Sequence, residues 1–85
     1  MKVLDISPVT GGSDDIRRAL VQCIEAINQR GWRNVGIPVR PQAVSNLCAV
    51  FDEHGYGTQP HSEEPGSLVT VEVWEKSRFL EVVPE

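Results

Sequence analysis

The sequence predicts an α+β fold, a two-layer sandwich in which two helices cover one face of a four-stranded mixed sheet. Two apolar stripes repeat at intervals of three and four residues, as amphipathic helices require. Short runs rich in β-branched residues precede, separate and follow these stripes. Pro65 and Gly66 between the last two runs are typical of a tight turn. The predicted order is β-α-β-α-β-β.

The first half of the chain predicts a strand, a long helix and a second strand. Lys2–Ile6 is the first strand, and Pro8 ends it because proline has no amide hydrogen to donate. We expect Ser13 to cap the helix and Gly31 to end it. The stripe that faces the sheet comprises Ile16, Ala19, Leu20, Cys23, Ile24 and Ile27. Asn34–Val39 follows as a strand parallel to the first, because the helix provides the crossover.

The second half predicts a shorter helix and an antiparallel hairpin. The helix begins at Pro41, which suits a first turn, and ends at Gly55. Its stripe comprises Val44, Leu47, Cys48 and Phe51. Residues 56–62 and 68–74 are the hairpin strands. Residues 77–85 then form either a short fifth strand or a tail laid on the sheet edge.

Length and composition predict one domain, residues 1–85, with a small core. No apolar run approaches the ~20 residues that span a bilayer. The first twelve residues lack the apolar run of a signal peptide, so we expect a cytoplasmic protein without membrane contact. Two cysteines do not make a disulfide framework.

The net charge of −4 is unevenly distributed along the chain. Residues 17–40 contain five arginines and one acid, whereas residues 52–85 contain eight acids and two basic residues. A basic face could therefore exist on an acidic protein. Nucleic-acid binding is accordingly an alternative function, and the residues that would serve it are Arg30, Trp32, Arg33 and Arg40.

The last long strand carries the residues we expect at a protein interface. Its valines alternate with Thr70, Glu72 and Trp74, which would face away from the helices. A tryptophan on an open sheet face often marks a contact surface. Coverage of this face by residues 79–83 is the alternative.

Catalytic and metal-binding constellations are weak in this sequence. His54 and Cys48 lie six positions apart on one predicted helix and face different directions. His54 and His61 lack a third ligand at the tight spacing that zinc sites use. We therefore expect no catalytic residues, no metal and no cofactor, and predict that the protein is not an enzyme.

The element order and several segments resemble the TusA/SirA-like sulfur-carrier fold. The segments are Arg40–Pro41, Leu47, Asp52–Tyr56, Glu63–Gly66 and Val71–Val73, which match its second helix and final hairpin. In that family the working group is a cysteine in a Cys-Pro-x-Pro motif at the start of the first helix. Here the same place reads Ser7-Pro8-Val9-Thr10, so the resemblance implies the fold without sulfur transfer.

A second resemblance is to the Alba-like fold, including the stage V sporulation protein S family. The matching segments are Lys2–Ser7 and Pro41–Val44, the latter leading to Gly55–Tyr56. This resemblance implies nucleic-acid binding by basic residues at the start of the second helix, where Arg40 would lie. The hairpin, however, carries His61, Glu63 and Glu64 where the family has basic residues.

These observations favour a non-enzymatic binding or adaptor protein that acts through a protein partner or as a homodimer. Small acidic domains are common among phage and prophage accessory proteins, which makes such a role one interpretation.

Overall fold

The computed structural model describes residues 2–62 and 68–76 and confirms the predicted α+β sandwich. Two helices pack on one face of a four-stranded mixed sheet. The elements are β1 (Lys2–Val3), α1 (Ser13–Gln29), β2 (Asn34–Val39), α2 (Val44–Glu53, entered through a 3₁₀ turn at Pro41–Ala43), β3 (Tyr56–His61) and β4 (Val69–Glu75). Among these residues, neither helix has the apolar length that a bilayer span requires.

The strand order across the sheet is β1-β2-β4-β3. β1 and β2 are parallel, and β4 runs antiparallel to both β2 and β3. Both edges of β4 are therefore hydrogen-bonded, so a further strand could not pair with it. The sequence predicts a fifth strand or a tail for residues 77–85, and cover of the sheet face by residues 79–83 as an alternative. Both predictions concern residues outside the described ranges.

The first strand is shorter than its predicted extent of Lys2–Ile6. The Leu4 amide still donates to the Gly36 carbonyl at 2.8 Å, but regular pairing then stops. Val9 returns to the same edge and forms a parallel bridge with Val39. The break has a physical reason in β2: Pro38 has no amide hydrogen to offer this edge, although its carbonyl accepts from the Val9 amide at 3.0 Å.

The core lies between the helices and the inner face of the sheet. The central side chains from the two central strands and α2, all fully buried, are Val35, Ile37, Val39, Leu47, Phe51, Val71 and Val73. α1 contributes Ile16, Ala19, Leu20, Cys23, Ala26 and Ile27, which is the predicted stripe with Ala26 added and Ile24 only partly buried. Each large aliphatic side chain removed from water in this way contributes about 1.5–3 kcal/mol to folding.

The start of α1 differs from its prediction. Gly12, and not Ser13, occupies the cap position, and no side chain caps it. Instead, Asp15 in the first turn accepts hydrogen bonds from the Thr10 hydroxyl at 2.7 Å and the Thr10 amide at 3.2 Å. These bonds hold the pKa of Asp15 below its ordinary value. The predicted stops are confirmed, because Gly31 and Gly55 have φ of +73° and +87°.

Candidate functional site

The residues predicted at a protein interface lie on the sheet face opposite the helices. In the pairing of β2 with β4, Thr70 is opposite Pro38, Glu72 opposite Gly36 and Trp74 opposite Asn34. The alternating valines of β4 are buried beneath the helices, while Thr70, Glu72 and Trp74 are half-buried. We call the surface formed by Asn34, His61, Thr70, Glu72 and Trp74 the open face.

Glu72 occupies the middle of the open face and is held from both neighbouring strands. Asn34 of β2 donates from Nδ2 to Glu72 Oε2 at 2.8 Å. His61 of β3 donates from Nε2 to Glu72 Oε1 at 3.0 Å. The Glu72 side chain is 24% exposed and the His61 side chain 46% exposed, so the carboxylate is partly desolvated and still reachable. Both hydrogen bonds fix the position of a negative charge on this surface.

Trp74 packs directly on the backbone of β3 at Gly57, its cross-strand neighbour. A methyl group added to Gly57 would lie 2.6 Å from Trp74 Cζ2 and closer still to Cε2 and Nε1. The indole therefore lies where any larger residue would place its Cβ. Because glycine has no Cβ, the Trp74 ring can lie directly against the sheet beside Glu72.

The four residues predicted for nucleic-acid binding do not form one surface. Arg30, Trp32 and Arg33 line a shallow depression of about 270 Å³ at the end of α1, together with Lys2. Arg40 follows the opposite end of β2, which is six residues long, or roughly 20 Å. The structure thus brings three of the four together, adds a lysine, and separates Arg40 from them.

The two cysteines pack in or against the core, and His54 forms a hydrogen bond at the end of α2. The pKa of the Cys23 thiol is raised to about 12, mainly by burial and to a smaller extent by the negative charge of Glu75. Burial also raises the pKa of Tyr56. His54 donates from Nδ1 to the Val50 carbonyl oxygen at 2.8 Å, which satisfies a carbonyl near the end of α2. Over residues 2–62 and 68–76, no three His, Cys, Asp or Glu side chains converge to hold a metal ion.

Sequence reasoning missed the partners of Glu72 and the lysine beside Trp32. Asn34 and His61 lie 38 and 11 residues away from Glu72 along the chain. They come together only through the pairing register of three strands. The pattern within each strand does not reveal which residues of its neighbours lie opposite. The sequence predicts Lys2 in a strand, and its position beside the end of α1 follows from the parallel pairing of β1 with β2.

Comparison of the chain with models of known protein families, with curated proteins and with solved structures gives no match. The resemblances to the TusA/SirA-like and Alba-like folds therefore stay predictions.

Proposed function

We propose that this chain is a small non-enzymatic binding protein that contacts a partner protein through its open face. The observation that carries the proposal is the fixed carboxylate of Glu72, held by Asn34 and His61 in the middle of a sheet face that the two helices leave uncovered. Trp74, seated on Gly57 beside it, supplies apolar contact area. Tryptophan is enriched among the residues that carry most of the binding energy of interfaces, and an oriented charge adds specificity for a partner of opposite charge.

Binding is favoured over catalysis by how the two histidines are used. His54 is bonded to a helix carbonyl, and His61 orients Glu72. Neither hydrogen bond activates a nucleophile in the way that a catalytic pair requires. The buried Cys23 thiol, with its pKa raised to about 12, is a poor nucleophile as well.

The favoured occupant of the open face is a protein segment that presents a lysine or arginine. A cation pairs with the Glu72 carboxylate, and the stem of a long basic side chain packs against apolar surface. A second copy of this chain is less favourable, because a two-fold axis through the middle of the face would oppose Glu72 to Glu72 and bring like charges together. We expect this partner in the cytoplasm, and cell fractionation tests that location.

A display library of random peptides, selected on the immobilised protein, tests the proposal without knowledge of the natural partner. The selected peptides are expected to share a basic residue flanked by apolar residues. Their affinity should fall at least ~10-fold for Glu72→Gln and for Trp74→Ala, since each change removes a central contact. Glu25→Gln makes the same charge change at an exposed position of α1. It is the matched control and should leave the affinity unchanged.

Two results would overturn this assignment. One is a set of peptides that bind Glu72→Gln and Trp74→Ala as tightly as the unmodified protein. The other is a dimer in light scattering that Glu72→Gln strengthens, which would make a second copy the occupant of the face.

Nucleic-acid binding by Arg33 together with Arg40 remains an alternative prediction. A ligand that contacts both must extend along the length of β2, because the two arginines flank its ends. Arg33→Glu with Arg40→Glu should then abolish a salt-sensitive shift of oligonucleotides. An unmodified protein that gives no shift at low salt would end that alternative.

A further inference from the structure

The depression at the end of α1 adjoins the open face at Asn34 and has a chemistry of its own. Its lining consists of Lys2, Arg30, Gly31, Trp32, Arg33 and Asn34. The lysine and both arginines are exposed, whereas Trp32 is partly buried against the core. Three cations therefore line one depression together with an anchored aromatic ring. We call Lys2, Arg30, Trp32 and Arg33 the basic depression.

Trp32 positions two of the cations. Lys2 Nζ lies 5.4 Å from the centroid of the Trp32 ring, and Arg30 Cζ lies 5.6 Å from it. Both distances are within the range of cation–π attraction. The ring is held in turn by its contact with the core and by the Trp32 amide, which donates to the Ala26 carbonyl at 3.1 Å. These contacts favour positions of the Lys2 and Arg30 charges close to the ring.

The basic depression is not neutralised by acids in the part of the chain that the structure describes. Ion pairs there join Arg18 to Asp15, His61 to Glu72, and Lys76 to Asp52. None includes Lys2, Arg30 or Arg33, and no carboxylate lines the depression. One cation at this place has a structural reason, because the last carbonyls of α1 favour positive charge. Three cations exceed that need in a chain whose net charge is −4.

We propose that the basic depression binds the phosphate group of an anionic ligand. Two guanidinium forks match the geometry of phosphate oxygens, and an ammonium adds a point charge. The ring of Trp32 is already in contact with Lys2 and Arg30, so recognition runs through phosphate oxygens and not through stacking of a base on this ring. A small phosphate compound and the backbone of a nucleic acid share this chemistry.

NMR titration of the full chain with inorganic pyrophosphate, ATP and a short single-stranded oligonucleotide tests the site. The indole N–H signal of Trp32 should move saturably, and the Trp74 signal should stay in place. Arg33→Gln and Arg30→Gln should each weaken binding at least tenfold, since each removes a charged donor pair. Arg17→Gln, which changes an exposed arginine on another part of α1, is the matched control and should bind as the unmodified protein does.

The three probes distinguish the sources of the phosphate. Binding of pyrophosphate and ATP as tight as that of the oligonucleotide indicates a small phosphate compound. Much tighter binding of the oligonucleotide, with a steep salt dependence, indicates a nucleic-acid backbone. The proposal is overturned if no probe moves the Trp32 signal at millimolar concentration, or if Arg17→Gln weakens binding as much as Arg33→Gln. Neither outcome depends on whether the open face binds a partner.

Discussion

Gly57→Ala is the substitution that most sharply tests how the open face is built. In an ordinary strand position, alanine in place of glycine stabilises a protein by about 0.4–1 kcal/mol, because it restricts the unfolded chain. At Gly57 the new methyl group would lie 2.6 Å from Trp74 Cζ2, far inside van der Waals contact. The ring must move, and crowding of this kind costs about 1–3 kcal/mol.

The balance of these two effects gives a net destabilisation of about 1–2 kcal/mol. For a domain of this size that lowers Tm by roughly 5–15 °C. Urea unfolding followed by circular dichroism measures the free energy directly. Gly12→Ala is a control without crowding, because nothing lies within 4 Å of a methyl group at that position. Alanine is a poorer N-cap than glycine, so we expect a loss of up to about 1 kcal/mol that does not depend on Trp74.

A double-mutant cycle isolates the contact between Gly57 and Trp74. In a Trp74→Ala background the ring is gone, so Gly57→Ala should be neutral or stabilising. The interaction energy should then be about 1–3 kcal/mol, the range observed for residues in direct contact. The reasoning fails if Gly57→Ala alone leaves the protein as stable as, or more stable than, the unmodified chain.

Three further predictions concern the buried thiol of Cys23, the hydrogen-bonded carboxylate of Asp15 and the backbone angle of Gly55. At pH 8 a thiol with a pKa of about 12 is ionised in about one molecule in ten thousand. Iodoacetamide should therefore modify the partly exposed Cys48 in the native protein, and Cys23 only after unfolding. Equal modification of both cysteines in the native protein, measured by intact mass, would contradict this. Folding lowers the pKa of Asp15 below its ordinary value of 3.8. The ionised carboxylate therefore stabilises the fold fully above about pH 3.8, and this contribution is lost as the pH falls through the lowered pKa of the folded state. Asp15→Asn should therefore lower Tm at pH 7, with a difference that shrinks in acid; a constant difference at all pH values would count against it. Gly55→Ala should cost about 1 kcal/mol, because φ is +87° there; an unchanged unfolding midpoint in urea would show that this backbone geometry is wrong.

The fold class could be predicted because local signals agreed with one another. The apolar stripes of both helices, the stops at Gly31 and Gly55, and the alternation in β4 all appear in the structure. The length of β1 could not be predicted, because the break depends on Pro38 in the neighbouring strand. The start of α1 was wrong for a similar reason: Asp15 accepts hydrogen bonds from Thr10 across the turn, and this contact replaces a cap by Ser13.

The candidate site was predictable only strand by strand. Alternation alone placed Thr70, Glu72 and Trp74 on one face of β4. The partners of Glu72 and the contact of Trp74 with Gly57 depend on register, which involves three strands at once. The basic residues illustrate the same limit, since sequence proximity grouped Arg40 with Arg33, whereas β2 separates them and parallel pairing brings in Lys2.

One NMR titration tests the central claim most directly, because the chain has only two tryptophans and they report on the two surfaces. The protein is titrated with a lysine- or arginine-containing peptide selected on it, and the indole signals are assigned with a Trp74→Phe variant. The account predicts that the Trp74 signal moves on binding while the Trp32 signal does not. A peptide that binds and leaves Trp74 unmoved would contradict the claim that the open face is where the partner binds.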